Sequence, residues 1–404
     1  MNIAYTIWIE LLDSPIIRNQ VIELLKALKR ISPDDKYFLF AFQPISITHC
    51  QKFFQVNEDL KENNLELIVI PSLIPPFLDW FNAKWYLLPF IFIQSFPVLL
   101  AMVLMKKIDI LHCRSYPIMP AAIVTNKVKR NLKIVFDPRS PFPEENITAG
   151  LWTKNSISYN LWKFLEKIFL DHSNITIAIA NTYVKHFTEI SKNALFAIIP
   201  NNVNIEKFSR NQDSRSELRS KMGVKDDEIL FVYLGSLGIH WNNPSMYANL
   251  LISIRELNID HRLLIITPDV SNLKKVFNKF NIKPDEYLVV SADSSEVPKY
   301  LSMADIGLNL MEKQDLRMSI KTCEYLAMEM PIIVNSNVMG ARDIVEQYHV
   351  GLVLEDLNNI NLTDIEEIIL NKDQFSFKCR KTACENFSTI NVAKKYTQVY
   401  RTLM

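Results

Sequence analysis

The fold is decided by Val297-Pro-Lys-Tyr-Leu-Ser-Met-Ala-Asp-Ile-Gly-Leu-Asn-Leu310, followed by Ser319-Ile-Lys-Thr-Cys-Glu-Tyr-Leu-Ala-Met-Glu-Met-Pro331 and Ile332-Ile-Val334. The first apolar run, about 305–310, reads as a buried strand. Ser319 is placed to cap a helix whose first turn carries Lys321, with Glu324 three residues on along the same face. Pro331 stops that helix, and a second buried strand begins at once. A helix that starts at the carboxyl end of a parallel strand is an anion site, because its free N–H groups and its dipole both favour negative charge. Lys321 adds a full positive charge there. Glu324 would repel a phosphate but can accept hydrogen bonds from a sugar diol. Phosphate beside ribose implies a nucleotide.

Outward from this stretch the same alternation repeats. Strands are expected near 229–234, 262–267, 287–290 and 352–354 in the second half. In the first half they fall near 2–7, 36–42, 65–71, 108–112, 132–137, 174–180 and 195–199, with an amphipathic helix over Val21–Leu28. Runs such as Ile175-Thr-Ile-Ala-Ile-Ala180 are apolar on both faces, as in a parallel sheet covered on both sides. Two successive βα series imply two doubly wound, Rossmann-like α/β domains. The boundary is expected in Pro200-Asn-Asn-Val-Asn-Ile-Glu-Lys-Phe208. That gives an N-terminal domain of 1–203, a C-terminal domain of 204–387, and a last helix (388–404) packing back on the first domain.

Composition narrows the function. The 404 residues are 49% hydrophobic and 22% charged, with a net charge of +1, so no long-range field argues for nucleic acid as a partner. Five cysteines without a C-x-x-C exclude a disulfide framework and a zinc site, and a reducing cytoplasm fits best. Glycine is scarce at seven residues, so Gly235, Gly340 and Gly351 are read as places where a side chain is not tolerated. No D-x-D, Walker loop, G-x-S-x-G, H-E-x-x-H or G-x-G-x-x-G occurs, and no catalytic metal is expected. The apolar stretch Trp85–Met105 has the length of a membrane span. Pro89, Gln94, Ser95 and Pro97 interrupt it and favour a helix of the first domain. A peripheral membrane surface over Trp80–Lys107 is the alternative, with Trp80, Phe81, Trp85, Tyr86, Lys84, Lys106 and Lys107 as its rim. A span is the third reading.

These pieces together resemble the GT-B fold glycosyltransferases of family 4, retaining enzymes that use nucleotide sugars and whose two domains face each other across a cleft. The linker is similar to P-N-G-V-D-x-x-x-F and Val232-Tyr-Leu-Gly-Ser-Leu237 to the first strand and glycine loop of the second domain. The stretches around Asp305 and Ser319 are similar to the donor-binding elements. In the first half, Asp109-Ile-Leu-His-Cys-Arg-Ser-Tyr116 and Asp137-Pro-Arg-Ser-Pro-Phe-Pro-Glu-Glu145 are similar to elements of one branch.

The resemblance implies sugar transfer to a glycan or lipid-linked acceptor, in surface polysaccharide or glycoconjugate synthesis. It implies a nucleotide-sugar donor, UDP-linked by default, and no other cofactor. The donor would be held by Gly235, Gly238, Val290, Ser291, Ser319, Lys321 and Glu324. Arg114, Asp137, Arg139 and Glu145 would serve the reaction, an internal Asp137–Arg139 pair that shapes the loop being the rival reading, and His112 reads better as a core histidine than as a site residue. A cytoplasmic enzyme is expected, with the inner face of the membrane as an open alternative.

The departures are specific. Leu316 stands where the family's first carboxylate would be. Asn202 replaces the linker glycine, a residue that tolerates the left-handed region. Glu329 replaces the glycine before Pro331 and should strain the helix end. No Arg/Lys pair follows the strand at 229–234, which leaves Lys321, helped by Arg317, Arg114 or Arg139, to meet the pyrophosphate. These losses motivate the alternative of a non-catalytic nucleotide-sugar- or lipid-binding relative that supports a partner enzyme.

Overall fold

The computed structural model describes residues 1–8, 10–44, 47–72, 85–237, 243–267, 270–357 and 359–404, without the side chains of 47–52 and 270–272. Gly238 and the rim residues Trp80, Phe81 and Lys84 lie outside the described residues. The chain divides into two compact units. The first comprises Met1–Pro200 and Thr389–Met404; the second is Asn201–Ser388.

Each unit is one parallel sheet covered by helices. The strands of the first are β1 (Asn2–Trp8), β2 (Lys36–Pro44), β3 (Glu66–Ser72), β4 (Ile110–Arg114), β5 (Lys133–Asp137), β6 (Ile175–Ala178) and β7 (Phe196–Ile198). They lie in the order β3-β2-β1-β4-β5-β6-β7. The second unit holds β8 (Ile229–Leu234), β9 (His261–Ile266), β10 (Tyr287–Val290), β11 (Ile306–Asn309), β12 (Ile332–Asn335) and β13 (Gly351–Leu354), in the order β10-β9-β8-β11-β12-β13. Among the described residues all of the strand pairs are parallel. Strands such as Ile306-Gly-Leu-Asn309 are buried throughout, as a parallel sheet requires. In each unit the order reverses beside the first strand, between β1 and β4 and between β8 and β11. In open α/β sheets this switch point is where the strand ends part and ligands bind.

The first helix extends beyond the expected Val21–Leu28. A π turn (Arg18–Ile22) feeds the helix Glu23–Ile31. Its Leu24, Leu25 and Leu28 share one apolar cluster with Tyr5, Ile7 and Leu39 of the sheet and Val392, Tyr396 and Tyr400 of the C-terminal helix Thr389–Thr402. The second core joins Phe231, Tyr233, Leu263, Leu308 and Ile333 to Tyr247 and Leu251 of the helix Pro244–Ile254.

The division falls at Asn201, three residues before the boundary expected from sequence. Asn201 is already part of the second unit: its Nδ2 donates to Met318 O at 2.7 Å, and its own carbonyl accepts from Cys323 Sγ at 3.5 Å. Arg380 then holds the carbonyls of Ile205, Phe208 and Ala327. Asn202 has no positive φ, so the left-handed backbone expected there does not occur. It is buried.

Candidate functional site

Two elements flank the β8/β11 switch point. After β8 the chain turns at Gly235, whose φ of +135° L-residues rarely adopt. A Cβ built there would lie 3.2 Å from Tyr233 Oη and 3.4 Å from Lys321 Nζ. The space a side chain would take is the space beside the Lys321 ammonium. After β11 the chain loops to the helix Ile320–Ala327.

The loop into this helix is fixed from below. Gly340 opens the next helix so closely that a Cβ would meet Met318 N at 2.8 Å and Leu316 O at 2.9 Å. Asp315 accepts from Arg317 Nε at 2.9 Å on both oxygens and closes backbone bonds with Asn337 and Met339. Arg317 is therefore neutralised by Asp315 and is not the additional free cation expected for a pyrophosphate.

Ser319 occupies the N-cap with extended backbone, but its hydroxyl does not cap. It accepts instead from Asn309 Nδ2 at 2.9 Å and pairs with Thr322 Oγ1 at 3.2 Å. The capping expected from sequence fails because a buried asparagine on β11 turns the hydroxyl inward. The consequence is chemical: the first amides of the helix stay without a side-chain acceptor, and they are the groups that bind anions.

Lys321 and Glu324 stand on this helix half-buried, and among the described residues neither side chain makes a hydrogen bond or ion pair. Lys321 Nζ lies 4.3 Å from the centre of the Tyr233 ring. Desolvation lowers the Lys321 pKa to about 7; Glu324 partly offsets this and Arg317 adds to it. Burial raises Glu324 to about 7, against the pull of Lys207 and Lys321. An ammonium and a carboxylate, both short of solvation, wait beside uncapped amides. That arrangement suits a ligand carrying negative charge at one end and hydroxyl donors nearby.

Tyr325 locks this helix to the sheet. Its hydroxyl accepts from Leu234 N at 2.8 Å, and its ring lies so flat on Gly307 that a Cβ there would sit 2.4 Å from Cδ2. Glu329 has φ +65°, so the helix end keeps the left-handed geometry of a glycine although it carries a side chain. Val290 ends β10 on the sheet edge, its carbonyl accepting from Thr267 N at 2.9 Å; Ser291 beyond it is exposed.

The first-unit candidates gather at the ends of β4 and β5. Asp137 is fully buried. Its Oδ2 meets His112 Nε2 at 3.2 Å, Arg139 Nη1 at 3.5 Å, and the hydroxyls of Tyr5 and Tyr396 at 3.4 and 3.5 Å. Although burial opposes ionisation, Arg139, His112 and Arg114 hold this carboxyl below the ordinary range. His112 stacks on Tyr5 at 4.1 Å and meets Tyr400 Oη at 2.9 Å; burial lowers its pKa and leaves it neutral at pH 7. Arg114 is gripped side-on by Glu10 at 2.7 and 2.9 Å. Glu145 accepts from Ser140 Oγ. Both arginines therefore face a carboxylate of the first unit: Arg114 is paired with Glu10, and Arg139 forms with Asp137 the internal pair that the sequence leaves open. Ser115 and Arg139, just past the two strands, both have positive φ (69° and 60°), a strain that non-glycine residues keep only where surroundings enforce it.

Sequence reasoning missed Tyr233, Tyr325 and Asn309 in the second unit and Tyr5, Tyr396 and Tyr400 in the first. Gly307, one of seven glycines, was the available signal for Tyr325.

Comparison with solved structures decides the architecture. A glycosyltransferase from Rickettsia africae superposes with a TM-score of 0.70 at 14% identity, covering 100% of this chain and 98% of that one. The fold is GT-B. The N-terminal domain of Candida albicans trehalose-6-phosphate phosphatase matches with a TM-score of 0.72 at 12% identity, over 100% and 97% of the two chains. Anabaena HepE in complex with UDP-glucose matches at 0.67 and 12%, over the whole of both. Residues 303–390 match the family described as glucosyltransferase 3-like, C-terminal domain. No curated protein matches the sequence significantly.

Proposed function

We propose that this chain is a retaining, metal-independent glycosyltransferase of the family 4 type, moving a hexose from a nucleotide-sugar donor to a glycan or lipid-linked acceptor. The observation that carries the reading is Lys321: a half-buried ammonium, without a paired anion among the described residues, at the uncapped start of a helix beside Gly235.

The second unit holds the donor. The diphosphate takes the amides of Ile320 and Lys321 and the Lys321 ammonium; Glu324 accepts from the ribose. The backbone at Val290–Ser291 is assigned to the base, and Gly238 to the close approach of donor beside Gly235. UDP is the favoured nucleotide, in keeping with the UDP-glucose in the HepE structure. Amides and ammonium offset the charge of the leaving diphosphate, and such preorganised donors are worth a few kcal/mol each. The diphosphate itself then helps deprotonate the acceptor hydroxyl. The first unit holds the acceptor. Arg114, Asp137 and Arg139 shape its surface as an internally compensated cluster, and Glu145 lies on the helix that follows. Surface polysaccharide or glycoconjugate synthesis on the cytoplasmic side of the membrane is the setting assigned to it.

A thermal-shift panel of nucleoside diphosphates and nucleotide sugars tests the donor. Stabilisation by uridine diphosphate that Lys321→Met with Glu324→Gln abolishes is expected; stabilisation that survives both changes rejects the site. The compensated charges of the first unit and Leu316 favour one other reading, a non-catalytic nucleotide-sugar-binding relative. Mass spectrometry separates the two: slow hydrolysis of a bound donor supports the enzyme, and its absence with every donor that binds supports the other.

A further inference from the structure

The helix Leu88–Met105 and the helical turn Trp85–Leu87 before it use an unusually narrow seam to join the first unit. Leu87, Ile91, Ser95, Leu99 and Val103, every fourth residue, are buried. Everything else on the helix faces outward, at least in part, and nearly all of it is apolar. Phe90 and Ile93 are 67% and 69% exposed, with Trp85, Tyr86, Leu104 and Met105 also exposed. Among the described residues this is the helix long and apolar enough to cross a membrane. Its buried seam, however, is bound into the unit, and Gln94 Nε2 donates to Pro71 O at 2.6 Å.

A second helix continues the patch. Ile157–His172 begins beside Trp85, whose amide donates to Ser158 Oγ at 3.3 Å. It shows Ile157, Leu161, Phe164, Leu165 and Ile168 at helical spacing on its outer side, with Ile157 and Phe164 65% and 63% exposed. Two helices thus present apolar stripes on one side of one unit, far more than scattered surface residues explain.

The charges along the first of these helices are one-sided. From Trp85 to Ile108 there is no carboxylate, and the stretch ends in Lys106-Lys107. Lys129 Nζ donates to Ile108 O, which brings the end of the neighbouring helix Met119–Val128 to the same place. Lys107, Lys127 and Arg130 are exposed there, next to exposed Leu104, Met105 and Val128. Lys106 is neutralised by its pair with Glu66. Aromatic rings at one end, cations at the other and an apolar face along the helix match an anionic bilayer surface, where rings sit at headgroup depth and lysines meet lipid phosphates.

We infer that this chain docks flat on anionic lipid through the outer faces of Trp85–Met105 and Ile157–Ile168, held by Lys107, Lys127 and Arg130. The docking is separate from the nucleotide reading and does not depend on it.

The test is flotation of the full chain with phosphatidylcholine vesicles, with and without phosphatidylglycerol. Binding only to the anionic vesicles, weakened by salt, is expected. Phe90→Glu with Ile93→Glu should lower the partition at least tenfold, and Lys107→Glu with Lys127→Glu about tenfold at low salt. Leu370→Glu, at an exposed apolar residue of the second unit (73% exposed), should change nothing. Circular dichroism, and nucleotide-induced stabilisation where the parent shows it, verify that each variant folds. Unchanged flotation of the Phe90/Ile93 variant overturns the inference. So does a dimer that these changes split without any lipid binding, which assigns the face to a second copy. Retention in membranes after alkaline carbonate washing also overturns it, in favour of a span.

Discussion

Replacing Lys321 by methionine removes one charge while keeping the stem that lies over Tyr233. An ammonium about 4 Å from a phosphate contributes roughly 4 kcal/mol at an effective dielectric of 20. Lys321 is half-buried, so solvent reduces this, and about 2–3 kcal/mol is the working figure, or a roughly 30- to 150-fold rise in Kd for uridine diphosphate. The pH profile separates this cause from a general loss of shape. In the free protein Lys321 titrates at about 7 and is about half protonated at neutrality. A diphosphate holds the protonated form, so each pH unit above 7 weakens binding about tenfold while a proton must be taken up. Glu324, raised to about 7, loses its charge below that pH and with it the pure acceptor a ribose needs. Affinity therefore peaks near pH 7. Lys321→Met should lose the alkaline limb and keep the acid one. The ligand-free variant should melt no lower than the parent, because a poorly solvated cation has been removed. Calorimetric titration from pH 6 to 9 reads all of this. A change in Kd below threefold, or an alkaline limb that persists in the variant, refutes the reasoning.

Other substitutions follow from the packing. Gly307→Ala places a methyl group 2.4 Å from the Tyr325 ring, and chemical denaturation should show a loss of about 1–3 kcal/mol together with weaker nucleotide binding; a neutral effect would mean that Tyr325 does not lock the helix. Glu329→Gly relieves a left-handed backbone and should add about 0.5–1 kcal/mol of stability, while a loss would show that the side chain earns its strained position. Asp137→Asn leaves Arg139 without its counter-ion in a buried cluster, at a cost of about 3–5 kcal/mol. The pH dependence has a fixed sign. The Asp137 carboxyl is held below its unfolded value, so its contribution is present above the unfolded pKa of about 4 and is lost as the pH falls through the lower folded value. Acid denaturation curves of parent and variant should therefore converge at low pH; curves that stay parallel would remove Asp137 from the account.

The two sheets were legible because parallel strands covered on both sides are written as short unbroken apolar runs such as Ile229-Leu-Phe-Val-Tyr-Leu234, each closed by a polar loop. The Lys321 helix was legible because Pro331 and the strand after it leave little freedom in placing its ends. What sequence did not yield was the partner of each polar group. Ser319 reads as a cap, yet Asn309, ten residues earlier and on the neighbouring strand, claims its hydroxyl. Arg114 reads as a free cation, yet Glu10 neutralises it through a contact between distant parts of the chain; for Arg139 the sequence leaves an internal pair with Asp137 open, and that pair forms. Local pattern carries periodicity; it does not carry which distant side chain arrives at a given atom. Asn202 shows the converse, since a residue able to adopt the left-handed region is found outside it.

The C-terminal helix has a consequence for how the molecule is made. Tyr396 and Tyr400, which close the cluster over Asp137 and His112, follow the whole second unit in chain order and so leave the ribosome after it. The entire inserted half, 201–388, has emerged by then and has every strand of its own sheet. The half begun first is thus closed only after the other is complete, and a nascent chain interrupted within Thr389–Thr402 would carry a finished second unit and a first one whose polar centre still lies open to water.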